Sequence, residues 1–125
     1  MTTSIQTIEQ AIESHKAWLD RLNRAIQGEA ETPSAKVIGD DSLCQFGRWL
    51  RGAEVKRDLP THLFESIGMH HKLFHIHAQG VVMALENGRT LVTVEREMDS
   101  VKRLSGLLIS LLKNALRVLP KATSM

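Results

Sequence analysis

The sequence predicts an all-α fold, an antiparallel four-helix-type bundle of three long helices plus one short helix that carries the only cysteine. Two observations carry this. Apolar residues recur at alternating steps of three and four through three long segments, the spacing of a buried helical stripe. Pro33, Pro60, Pro120 and the Asn87-Gly88 breaker fall between those segments or at their ends, and no run reads as a strand.

The first segment, residues 3 to 28, places Ile5, Ile8, Ile12, His15, Leu19, Leu22 and Ile26 on one stripe. Thr3 with Gln6 has the form of a capping box at its start. One member of the stripe is polar: His15 stands where a leucine is expected. The stretch "GEAETPSAKVIGDD" reads as a loop, with Asp41 or Ser42 placed to cap the next element. Residues 42 to 52, "SLCQFGRWLRG", make the short helix, with Phe46, Trp49 and Leu50 as the apolar side that docks it. Pro60 suits the first turn of a long helix reaching about Glu86, and Asn87-Gly88 breaks it. The last helix, about 90 to 119, aligns Leu91, Val94, Met98, Val101, Leu108, Leu112, Ala115 and Leu119, and Pro120 closes it. A second apolar line of Leu104, Leu107, Leu111 and Val118 runs beside that stripe. So wide an apolar surface exceeds one intramolecular contact and favours a homodimer.

Composition narrows the function classes. The chain of 125 residues is read as one domain over 1–125, and 16 Lys+Arg against 14 Asp+Glu leave a formal charge of +2. So small an excess, spread along helix faces, argues against a nucleic-acid partner. The opening "MTTSIQTIEQ" lacks the form of a secretory signal. The most apolar run, "GLLISLLKNALRVL", is about 14 residues and is interrupted by Lys113, Asn114 and Arg117, short of the roughly 20 that a membrane span needs. A soluble, cytoplasmic protein without membrane insertion is expected. With 1 cysteine no internal disulfide forms, leaving Cys44 as a core residue, a reactive thiol or a metal ligand.

Four of the 6 histidines crowd into "SIGMHHKLFHIHAQG", residues 66 to 80. At about 100° per residue, Phe64, Ile67, Phe74, Ala78, Val82 and Leu85 define the inward face, and His71 and His75 lie within it. His70 and His77 flank that face, roughly 100–120° around, and His62 lies at the exposed helix start. Two histidines from one helix and one from another therefore replace core residues. An imidazole buried without a partner is costly. Either these groups satisfy one another, or they share a cation with Cys44. Three neutral imidazoles and one thiolate are the number and softness that suit tetrahedral Zn²⁺. "HKLFH" lacks the glutamate of the H-E-x-x-H protease signature, and four protein ligands leave no open position for activated water, so a binding site is favoured over an enzyme. The alternatives are a metal-free helical dimerisation module and a small metalloenzyme.

His15 lies in "HKAW", Cys44 in "CQFGRW", and His71 with His75 in "HHKLFHIHA". In order and spacing these resemble the chemoreceptor zinc-binding (CZB) domain, with its H-x-x-W, C-x-F/L-G-K/R-W and H-x-x-x-H pieces, and especially the N-terminal sensory domain of zinc-regulated diguanylate cyclases. The resemblance implies a helical homodimer holding Zn²⁺ through His15, Cys44, His71 and His75. It further implies control of an attached or partner signalling output, a diguanylate cyclase or a chemoreceptor, by zinc occupancy and by oxidation of the thiolate with hypochlorous acid or other oxidants. His70 and His77, doubled beside the motif, stand as alternate ligands.

Overall fold

A computed structural model describes residues 4–40, 44–52 and 57–119. Thr3, Asp41, Ser42 and Pro120, to which the sequence assigns capping or terminating roles, lie outside the described residues. Among the described residues every regular element is a helix: α1 (Ser4–Ile26), α2 (Ala35–Ile38), α3 (Gln45–Leu50), α4 (Thr61–Glu86) and α5 (Leu91–Val118).

Local chemistry sets the ends. Gly28 and Gly88 both take positive φ, at 77° and 63°. Each lets the next residue donate back across the last turn, Glu29 N to Arg24 O at 2.8 Å and Arg89 N to Ala84 O at 2.9 Å. This is the Schellman arrangement, which glycine enters without strain. Thr90 caps α5 by accepting from Thr93 N at 3.3 Å. Pro60 occupies the N-cap of α4 rather than its first turn.

Two further expectations differ from the structure. The segment read wholly as loop contains α2, held by Ser34 Oγ accepting from Val37 N at 3.4 Å and by Ile38, which is 1% exposed. Four residues give too little periodicity to register as a helix; a buried Ile38 supplies the tertiary reason for one. Leu91, placed on the buried stripe, is 61% exposed. It is the first residue of α5, ahead of Val94, where burial on that stripe begins.

The remaining stripe residues of α5 are buried, from Val94 to Leu119. α5 runs antiparallel to both α1 and α4, so its start meets their ends. One apolar cluster joins Ile8 and Ile12 of α1, Leu63 and Ile67 of α4, and Leu108 and Leu112 of α5. The other joins Leu22, Phe74, Val82, Met98 and Val101, with Ile38 of α2. Burying each such side chain stabilises the fold by about 1.5–3 kcal/mol. α3 docks on the first cluster through Phe46 and Leu50, both buried, with half-buried Trp49 stacked on Phe46 at 5.4 Å between centroids. The level between the two clusters is polar, with His15, His71, His75 and Ser105 buried there. No described helix is long and apolar enough to cross a membrane.

Candidate metal centre

α1 delivers His15 to the interior because its apolar stripe does; the ring is fully buried. α4 delivers His71 and His75 from successive turns of its inward face, 0% and 3% exposed. Cys44 is the N-cap of α3, with extended backbone (φ −77°, ψ 133°) and no capping bond from its side chain, so the sulfur is left to face the rings. Burial of Phe46, two residues on, fixes that position. One ligand atom from each of His15, Cys44, His71 and His75 lies within 4.8 Å of the other three, and this is the one such His/Cys/Asp/Glu cluster among the described residues. Tetrahedral zinc with bonds of about 2.0–2.3 Å needs ligand atoms roughly 3.3–3.6 Å apart. The His71 and His75 Nε2 atoms, 3.2 Å apart, are close to that spacing, and the whole set lies within 4.8 Å.

Hydrogen bonds fix which nitrogens face inward. His15 Nδ1 lies 2.7 Å from Ala11 O, and His75 Nδ1 lies 2.8 Å from Ile38 O. A carbonyl only accepts, so in each neutral ring Nδ1 carries the proton and Nε2 keeps a lone pair. Backbone carbonyls orient metal-binding imidazoles in this way. His75 Nε2 lies 3.2 Å from His71 Nε2, so His71 donates to it in the neutral pair. His15 Nε2 is buried and finds no hydrogen-bond partner among the described residues. An inward lone pair, buried without a donor, fits a cation.

The surroundings keep the rings of His15 and His71 neutral. Burial, opposed by the Ala11 hydrogen bond and aided by the neighbouring His75, lowers the pKa of His15 to about 4. Burial, then His15, His75 and Arg51, lowers that of His71 to about 2. Aromatic rings wall the layer: Phe74 meets His15 edge-on at 5.0 Å, and Phe46 meets His71 at 5.1 Å. Cys44 is half-buried, and a cleft of about 220 Å³ lined by Ser14, Trp18, Val37, Ile38 and Asp40 reaches it and His75. Trp18 thus borders the site, as its place one turn from His15 suggests.

The other histidines stand apart from this cluster. His62 is exposed. His70, half-buried, donates to Ser66 O at 2.8 Å, and His77 lies 3.5 Å from Glu97 Oε2 on α5. Sequence reasoning did not find the two carbonyls, Ala11 and Ile38, that set the tautomers. No side-chain pattern signals a carbonyl acceptor, and the Ile38 acceptor depends on a 37-residue separation.

Neither a curated protein nor a solved structure matches the chain significantly. The family description "chemoreceptor zinc-binding domain" matches residues 15–82, a span that begins at the first histidine of the cluster and contains the other three residues. With more than half of its length inside that match, the chain belongs to the chemoreceptor zinc-binding (CZB) domain family, a sensory zinc-binding module that is not itself catalytic.

Proposed function

We propose that residues 1–125 form one zinc-sensing regulatory domain, with His15, Cys44, His71 and His75 as the four zinc ligands. The observation that carries this is the convergence of one sulfur and three imidazole nitrogens within 4.8 Å between two apolar clusters of the interior. When bound, zinc supplies a closed four-coordinate link among α1, α3 and α4. The residues prepare for it in distinct ways. His15 and His75 hold their protons on Nδ1 against carbonyls, while the His71 proton would move from Nε2 to Nδ1. Cys44 gives up its thiol proton. Uptake is therefore coupled to proton release, and affinity falls as pH drops.

A regulatory output follows from the placement of these residues. Cys44 caps a six-residue helix held to the bundle mainly by Phe46 and Leu50. Tying its sulfur to three rings in the bundle favours one position of α3 over others, and a ligand shifts an equilibrium by its differential affinity for the two arrangements. The half-buried sulfur at a cleft also admits a second input, oxidation of the thiolate, which removes one ligand. The domain acts as a cytoplasmic homodimer. Its interface is the outer line of α5, where Leu107 and Val118 are 52% and 50% exposed, beside half-buried Leu104 and Leu111. The output is an attached or partner signalling domain, a diguanylate cyclase or a chemoreceptor.

Elemental analysis of protein purified without added metal tests the reading, with one zinc per chain expected. Cobalt substitution should give tetrahedral d–d bands and a thiolate charge-transfer band. Metal-free protein that takes up neither ion refutes it.

A further inference from the structure

We infer that Gln79 is a positioning residue of the metal site, acting on His75 through α2; this rests on the zinc reading above. Gln79 is one turn beyond His75, continuing the line His71, His75, Gln79 along α4. Its side chain leaves the site and donates from Nε2 to Ala35 O at 2.9 Å, across a separation of 44 residues. The ring of His75 donates to Ile38 O at 2.8 Å. Two consecutive turns of α4 thus grip the first and last carbonyls of the four-residue α2.

Gly39, at the C-cap of α2, completes the clasp. The space that a Cβ would occupy there is filled by the Gln79 carboxamide. The backbone of Gly39 is right-handed (φ −80°, ψ −11°), so any L-residue fits the dihedrals. Glycine is required here only for room, and the room is used by Gln79. A side chain at residue 39 displaces the flexible end of Gln79 and breaks its bond to Ala35.

The consequence reaches the zinc ligands. A helix of four residues has no stability of its own. Its position depends on Ile38, the Ser34 cap and the clasp. When α2 lifts, the Ile38 carbonyl leaves His75, and the Nδ1-protonated form that turns the Nε2 lone pair inward loses its anchor. Zinc affinity and α2 docking are therefore linked, and the linkage is reciprocal.

The test uses the full chain with Gln79→Met, which keeps bulk, Gln79→Glu, which keeps shape without the donor, Gly39→Ala, and the double variant Gly39→Ala/Gln79→Met. Zinc affinity is measured by chelator competition, and amide exchange at Ile38 and Gly39, whose N–H groups close α2, is read with and without zinc. Each single variant is expected to weaken zinc about 3- to 10-fold, the range for one lost hydrogen bond. The double variant is expected to be no weaker than the worse single, because both remove the same contact. Zinc slows exchange at Ile38 and Gly39 in the wild type, and Gln79→Met speeds it in metal-free protein. Variants with lower melting temperature but unchanged zinc affinity, or additive losses in the double variant, overturn the inference. Wild-type chain that takes up no zinc overturns the zinc reading instead, while exchange in the metal-free variants still judges the clasp.

Discussion

Replacing His15 with leucine should make the metal-free protein more stable and the zinc-supplied protein less stable than wild type. His15 is fully buried, and its Nε2 lacks a hydrogen-bond partner among the described residues. A buried unsatisfied polar atom costs about 1–3 kcal/mol. Leucine removes that atom, fills similar volume beside Phe46 and Phe74, and adds a few tenths of a kcal/mol of helix propensity, on the order of 0.4. The bond from Nδ1 to Ala11 O is lost, but that carbonyl keeps its helical partner. The net gain is about 1–2 kcal/mol, a rise in melting temperature of roughly 4–8 °C for a chain of this size. Free zinc at 1,000 times its Kd stabilises the wild type by about 4 kcal/mol and the variant far less. The ranking should therefore reverse between chelator and zinc. Urea unfolding followed by circular dichroism at about pH 7.5, where ordinary histidines are neutral, measures both states. A variant less stable than wild type in chelator would mean that His15 is an ordinary satisfied core residue. Equal stabilisation of both proteins by zinc would remove His15 from the ligand set.

Cys44→Ala should lower zinc affinity by about 100-fold or more, since a structural zinc site supplies about 10–16 kcal/mol through four ligands. Helix content should hold, because the Cys44 side chain makes no capping bond; unchanged affinity in a competition titration would exclude the sulfur. The metal-free chain should lose stability as pH falls from about 6.5 to about 4. Burial depresses His15 to about 4, so the unfolded state binds the extra proton first, and the loss reaches roughly 3 kcal/mol from this ring alone. A flat stability profile across that window in acid titrations of the metal-free protein would contradict the buried neutral ring. His70→Ala and His77→Ala should leave zinc stoichiometry at one and affinity within about fivefold, given roughly 0–1 kcal/mol from partly exposed contacts; loss of the metal in either would reassign the ligands.

How much of this was readable beforehand follows from where each fact resides. His71 and His75 were separable from His70 and His77 because a rigid 100° step turns sequence spacing into direction, and the burial pattern agrees. His15 was legible as the one polar member of an apolar stripe. The cysteine helix was visible through Phe46, Trp49 and Leu50, but its extent was not. It begins at Gln45, leaving Cys44 outside as the cap. That one-turn difference changes the chemistry, since an N-cap side chain can swing toward the bundle in a way a mid-helix side chain cannot. α2 was illegible because four residues contain barely one helical period, and its stability comes from contacts 37 and 44 residues away.

The placement of the polar layer explains why such a fold suits sensing. A bundle with leucines at these three histidine positions would be more stable and would report nothing. Here one level of the interior, between two well-packed apolar clusters, carries three imidazoles and is reached by a half-buried thiol. The clusters keep the long helices folded with or without a ligand, while the layer between them leaves free energy to be gained by a cation. That gain falls on α3 through Cys44 and on α2 through His75, the two shortest elements. Long helices that persist while short ones respond give a domain able to change locally without unfolding.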